Sequence, residues 1–325
     1  MQRTVTRSQT SVDLVIRANW CIFLYMTKVP FYLAVLVLFA GVSPCLSSQA
    51  RPRAELEVVF LDGILEIRDG SSWIESDVGD LVDRESYVRL EEDGIVEFFD
   101  GSVSVTISTS GVYHLAALVQ KVADRSSSKD LGRFLENAFQ EVAGKPRSRT
   151  TAAVLGARAK EADDPEIGWI DEEEEILREG KDLLEEGKYE EALRFFQDAE
   201  SEAIDEEEQH FTFYVGYTLA LLGKKGAALK KLTDIDADVT APYYEDWVLV
   251  QGQLFYESMA YERAVRLFEE YLTGTFEGDN RQAVSFLSAL CYRELGDAEQ
   301  AQKHLDRAYR IDPDSEIGRA AKNQM

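Results

Sequence analysis

The sequence predicts a multidomain α+β chain: a small all-β domain followed by an α-helical solenoid. Two observations carry this. Residues 55–115 alternate apolar and polar positions between Asp-Gly turns, the period-2 habit of short strands. Residues 173–315 instead repeat small and aromatic residues every 36 or 37 positions, the mark of stacked helix pairs.

Composition bounds the answer. A chain of 325 residues exceeds one average domain. Hydrophobic residues at 45% and charged residues at 29% form an ordinary globular composition that can bury cores. The 60 Asp+Glu outnumber the 35 Lys+Arg, a net −25. This argues against nucleic acid as a partner, because phosphate contacts need clustered cations. It argues equally against retention on anionic lipid by charge alone.

The N-terminal 50 residues read as an export signal. Val29 to Val42 carries no charge, Lys28 precedes it, and Ser48-Gln49-Ala50 ends it before Arg51. The run is shorter than the roughly 20 residues of a spanning helix. Met26 is a candidate true start. The competing readings are an uncleaved membrane anchor and lipidation at Cys45, which Pro44 disfavours. The expected location is therefore exported, periplasmic or anchored facing the periplasm. Removing residues 1–50 takes away four bases and one acid and leaves −28. Of Cys21, Cys45 and Cys291 only the last then remains, so no intramolecular disulfide is expected.

Residues 51–116 form the expected β domain. Val103, Val105 and Ile107 alternate with Ser102, Ser104, Thr106 and Ser108, a strand with one buried face. Asp62-Gly63, Asp69-Gly70, Asp93-Gly94 and Asp100-Gly101 punctuate the strands, since Gly accepts positive φ. Gly63-Ile-Leu-Glu-Ile-Arg, Trp73, Gly79-Asp80-Leu81 and Val96-Glu-Phe-Phe-Asp-Gly-Ser102 together resemble the FecR domain over about 60 residues. The resemblance implies an exported bacterial β module. In some members it is a sensor that signals iron-siderophore status to a cytoplasmic segment. Here at most 28 residues precede the apolar run, too few for such a regulator, so the resemblance implies the module rather than the signalling.

Residues 117–172 are expected to be a linker with one helix. Leu131, Phe134, Leu135, Ala138, Phe139 and Val142 recur at helical spacing on one face. Lys145 to Lys160 holds five bases and no acid, as in a solvated tether.

Residues 173–315 contain four units. Gly180…Leu183…Gly187-x-Tyr189-x2-Ala192-x3-Phe196 is the first, and Gly216…Gly223…Ala228-x3-Leu232 the second. Gly252…Tyr261-x2-Ala264-x3-Phe268 is the third, and Ala289…Gly296…Ala301-x3-Leu305 the fourth. The units resemble tetratricopeptide (TPR) repeats: a small residue in the first helix lets the second pack close. Lys225 stands where an aromatic is usual, and Met259 where Gly is usual. Residues 316–325 are expected to form a short C-terminal cap or tail. The family pattern implies a groove of first helices that binds a protein or peptide. It would be lined here by Lys181, Phe213, Tyr217, Leu249, Gln253, Tyr256, Phe286 and Arg293. That set suits an apolar segment; the Lys/Asn clamp for acidic peptide ends is missing.

No catalytic constellation emerges, so an enzyme is not expected, and neither a cofactor nor a metal is called for. His114, His210 and His304 lack metal spacing. Ser126-x-x-Lys129 lacks partner motifs. Asp234, Asp236, Asp238 and Glu245 match calcium-loop spacing, but Val239 replaces the Gly that makes the turn. The expected function is an exported, non-enzymatic scaffold or assembly protein. The alternative is an envelope sensor of the FecR type acting on a transport or sigma-factor pathway. Membrane association enters only through an uncleaved N-terminal segment, and the oligomeric state is left open.

Overall fold

A computed structural model describes residues 55–127, 172–204, 206–274 and 280–325. The export segment, the periodic run at 131–142 and the basic run at 145–160 lie outside the described residues. Arg53–Met325 is one compact unit. Among the described residues no helix is long and apolar enough to cross a membrane.

Among the described residues eight short strands come first: β1 Glu55–Asp62, β2 Leu65–Asp69, β3 Ser72–Ser76, β4 Leu81–Asp83, β5 Tyr87–Leu90, β6 Ile95–Phe99, β7 Ser104–Ile107 and β8 Gly111–His114. They form two antiparallel sheets in the orders β4-β1-β6-β7 and β3-β2-β5-β8. Leu56, Val58, Val96, Phe98 and Val105 of one sheet meet Leu65, Val88 and Leu90 of the other in a shared core. Three of the four Asp-Gly turns behave as expected, with Gly63, Gly70 and Gly101 at positive φ; at the fourth, Asp93 itself takes φ 62° and Gly94 does not. At the Gly101 turn, Asp100 Oδ1 accepts from the Ser102 and Val103 amides at 2.9 and 2.8 Å. Those bonds hold its carboxyl below the ordinary range, against a partial opposing effect of burial.

One strand differs from expectation. The alternation at 102–108 predicts one buried face, yet Thr106 and Ser108 are buried along with Val105 and Ile107. Glu97, paired with Thr106 across the ladder, is buried too. The reason is that the outer face of this sheet is covered by the helices.

Helix α1 spans Leu115–Ser127 directly after β8. Leu115, Leu118, Val119 and Val122 place it on the β core, an i, i+3, i+4, i+7 stripe too short to stand out in the sequence. Among the described residues nine helices follow: α2 Glu172–Glu185, α3 Tyr189–Glu202, α4 Glu206–Leu221, α5 Lys225–Thr233, α6 Tyr244–Glu257, α7 Tyr261–Thr273, α8 Arg281–Glu294, α9 Ala298–Ile311 and α10 Glu316–Gln324.

The repeat's small residues do what close packing requires. A Cβ on Gly180 would fall 2.2 Å from the Phe196 ring, one on Gly216 2.7 Å from Leu232, and one on Gly252 2.0 Å from Phe268. Each first helix therefore lies almost in contact with its second helix. The turn between them is also repeated. Lys188 N–H bonds Leu183 O, Lys224 bonds Leu219, Ala260 bonds Phe255 and Asp297 bonds Tyr292, each at 2.8–2.9 Å. This six-to-one bond closes a helix through a left-handed residue. Gly187, Gly223 and Gly296 supply it at φ 73°, 74° and 80°. In the third pair Met259 supplies it at φ 64°, a costly conformation for a residue with a Cβ. Helix α10 caps the array: Ser315 Oγ accepts from Gly318 N at 2.9 Å, and Ala321 is buried against its neighbours.

Both departures from the repeat pattern have one cause. The β module and α1 sit on the edge formed by the turns of the second, third and fourth pairs. Met259 packs into the β core and the array core at once. Lys225 pairs with Glu257 at 2.6 Å and feels the Glu97 carboxylate of β6. Glu97 in turn accepts from the Gly226 amide at 2.9 Å. Ser108 and Ser258 share a buried hydrogen bond of 2.8 Å, and Arg263 donates to Ser108 O at 3.2 Å. Arg125 of α1 pairs with Glu294 at 3.5 Å, lies 4.9 Å over the Tyr256 ring, and bonds the Tyr256 carbonyl and the Tyr261 hydroxyl. Lys121 joins Glu294 at 2.8 Å. Burial raises the Glu294 carboxyl, but these two cations outweigh it and hold the group below its ordinary value.

Candidate functional site

A helix turns about 100° per residue, so positions three before, one after and four after the small residue share one flank, about 40–100° from the second-helix contact. Phe213, Leu249 and Phe286 are three before; Lys181, Tyr217 and Gln253 are one after. They form a row along the first helices α2, α4, α6 and α8.

The row is mostly buried. Phe213, Tyr217, Leu249, Gln253 and Phe286 are each 3% exposed or less. Phe213 stacks on Tyr217 at 6.1 Å and on Tyr243 at 5.5 Å. Gln253 donates to Glu257 Oε1 at 3.0 Å. Lys181 is half-buried, its ammonium 5.1 Å over the Tyr214 ring. Burial lowers its pKa, with the Asp246 carboxylate opposing.

Two of the eight expected residues are placed differently from the rest. Tyr256 and its tilted neighbour Tyr261 both lie under the Arg125 guanidinium, at 4.9 and 5.5 Å, so Tyr256 helps hold α1. Arg293 is exposed and donates to Gln324 of α10 at 2.6 Å, facing the cap. The other six run along the array.

A polar cluster beside the row escaped the sequence reading. His210 Nδ1 lies 2.7 Å from Glu173 Oε1, and the His210 ring packs on Tyr214 and Tyr243 at 5.5 and 5.1 Å. Asn280 donates to Asp246 Oδ1 at 3.2 Å and to Glu245 O at 3.0 Å. His210 and Asp246 each stand six before the unit's glycine, a shared helical phase that could have flagged them. The row and the cluster thus lie side by side along the first helices, with most of their side chains buried.

The other candidate chemistry is used structurally. Asp238 caps its own turn through the Thr240 amide at 2.7 Å, Asp234 pairs with Lys230 at 3.1 Å, and the Glu245 side chain is buried on α6. Among the described residues no group of three or more His, Cys, Asp or Glu side chains is arranged to hold a metal. Cys291 is buried in the array core, and that burial pushes its thiol pKa up.

Both array histidines are held below 6.5. Burial lowers His210, with Glu173 opposing; burial lowers His304, with Glu269 opposing. Such a group takes up a proton more readily once unfolded. Its stabilisation is present above pH 6.5 and is lost as pH falls from 6.5 through the lowered folded values. The thermal midpoint is therefore expected to drop between pH 7 and pH 5.5. His304→Gln flattens the slope, as calorimetry at the two pH values will read.

A family model described as "T7SS, ESX-1 secretion system protein EccA1, N-terminal domain" matches residues 259–325. No curated protein matches the chain. Among solved structures, the chain is similar to MamA 41-end from Desulfovibrio magneticus RS-1. That match has 18% identity and a TM-score of 0.38, covering 47% of this chain and 90% of that one. It is similar to YrrB, described as a TPR protein with an unusual peptide-binding site, at 18% identity and TM-score 0.38, over 47% and 75%. It is also similar to a tetratricopeptide repeat protein from Parabacteroides merdae ATCC 43184, at 18% identity and TM-score 0.39, over 46% and 57%.

Proposed function

We propose that this protein is an exported, non-enzymatic binding scaffold that takes an apolar protein segment along its first-helix face. The observation that carries the reading is the row Phe213, Tyr217, Leu249 and Phe286, which crosses three successive helix pairs beside the His210–Glu173 cluster. Rows of this kind suit helix-in-groove recognition, in which apolar anchors recur along one face. The leader at residues 1–50 supports export, and the FecR-like strand pattern supports an envelope setting. The β module grips the turn edge and so fixes the array's orientation relative to whatever the module itself meets.

The test is capture of envelope proteins by crosslinking to the full chain, with each bait checked for a native melting profile. Tyr217→Ala with Leu249→Ala is expected to cut capture at least tenfold. Lys181→Glu serves as a second bait that leaves the apolar packing intact and is expected to weaken capture. Ile74→Asp with Val112→Asp, exposed on the second sheet, is expected to change nothing. Capture that survives the groove changes and is lost with the sheet changes rejects the scaffold reading in favour of the sensor.

A further inference from the structure

We propose that the exposed end of the outer face of the β4-β1-β6-β7 sheet docks a lysine-rich helix of a partner protein. The inference does not depend on the first-helix face.

The register defines the surface. Residues paired across a ladder share a face, and so do residues two apart on a strand. Phe60 pairs with Glu97 and Glu97 with Thr106, one row across the sheet. Leu81 pairs with Glu57, Glu57 with Phe99 and Phe99 with Ser104, the next row on the same face. A bulge between Val58 and Phe60 separates the two rows on β1.

The first row shows what this face takes. Helix α5 covers it: a Cβ on Gly226 would fall 2.6 Å from Phe60 Cδ1 and 3.2 Å from Glu97 Cβ. The Gly226 amide donates to Glu97 Oε2 at 2.9 Å, and the Glu97 carboxylate acts on Lys225. Lys230 of the same helix pairs with Asp62 at 3.3 Å. An apolar side chain set among acids thus receives a small residue flanked by lysines.

The second row carries the same chemistry and stands open. Leu81 is 63% exposed and Phe99 40%. Val59 at the bulge is exposed too, as is Val78 in the turn whose Gly79 amide donates to Val58 O at 2.8 Å. Glu57 lies between Leu81 and Phe99, and Glu55 and Asp77 are exposed beside them. Apolar side chains gathered at a surface inside a polar rim mark a protein-binding site. The rim sets the partner's charge. Residues 55–115 hold 15 acids and 3 bases, a net −12. Arg84, one of those bases, lies close enough to Asp100 to help lower its carboxyl. A second copy of this chain would bring its own −25 and be repelled. A helix with lysines on its flanks gains charge complementarity instead, as α5 does one row away.

Fluorescence anisotropy on the full chain tests this. The probe is a fluorescein-labelled peptide of residues 224–233, the α5 sequence, held helical by a hydrocarbon staple because so short a helix does not form alone. Its counterpart carries Glu in place of Lys224, Lys225, Lys230 and Lys231. The wild type is expected to bind the lysine peptide at least tenfold more tightly than the counterpart. Leu81→Ser with Phe99→Ser, at two exposed positions, is expected to weaken that binding at least tenfold while the melting temperature stays the same. Glu55→Lys with Glu57→Lys is expected to reverse the preference between the two peptides. Lysine-peptide binding that either variant leaves unchanged overturns the proposal, and so does the absence of binding to the wild type. A wild-type dimer in sedimentation that Leu81→Ser/Phe99→Ser dissolves assigns the surface to a second copy and overturns it as well.

Discussion

Phe268→Ala is expected to lower folding stability by about 3–5 kcal/mol, the range for a fully buried Phe truncated in a packed core. Phe268 has no exposed surface, and its ring fills the space that Gly252 leaves on α6. The reciprocal change makes the point sharper. Gly252→Ala gains about 1 kcal/mol of helix propensity, yet its Cβ falls 2.0 Å from Cε1 of that ring. Overpacking of this kind costs about 1–3 kcal/mol, so a net loss is expected. With Phe268→Leu as the second single variant, the double variant Gly252→Ala/Phe268→Leu is expected to be more stable than the Gly252→Ala and Phe268→Leu losses combined predict, because leucine lacks the ring atoms that clash. Urea denaturation of the four proteins measures the coupling. Additive losses would show that the two residues do not share a contact.

Gly226→Leu is expected to separate the β module from the array while leaving both folded. A Cβ there would meet Phe60 Cδ1 at 2.6 Å and Glu97 Cβ at 3.2 Å, atoms of β1 and β6 and not of the array. Helix α5 itself gains propensity from losing a glycine. Forcing the module away also breaks the hydrogen bond from the Gly226 amide to the Glu97 carboxylate, a bond to a charged group worth about 1.5–3 kcal/mol. Calorimetry of the wild type should show one cooperative transition, and that of the variant two. A variant that still melts in one transition would mean that the contact carries no coupling.

The repeat was legible in the sequence because close helix packing demands a small residue at a fixed phase, and Gly180, Gly216, Gly252 and Ala289 keep that phase. The turns of the β module were legible for a similar reason, since Asp-Gly pairs encode backbone conformation locally. What stayed hidden is what depends on distant contacts. Lys225 and Met259 were visible as irregularities, but their cause lies in β6 and in the β core, more than a hundred residues away. Thr106 and Ser108 read as solvent-facing because a strand's pattern does not say what covers its polar face. Tyr256 fits the groove by phase, yet Arg125 claims it from 131 residues away. The His210–Glu173 pair was missed because the two residues lie 37 apart on different helices.

The docking of the β module on the turn edge joins these findings: it explains the two broken repeat positions and the doubly buried strand. It is tested most directly by Ser108→Cys with Ser258→Cys. Their hydroxyl oxygens are 2.8 Å apart in the fold, although the residues are 150 positions apart. Under mild oxidation the two introduced thiols are expected to form an intramolecular disulfide in the full chain, seen by mass spectrometry after digestion, and to raise the melting temperature. Thiols that stay reduced in the folded protein, or that link only between chains, would contradict the docked arrangement.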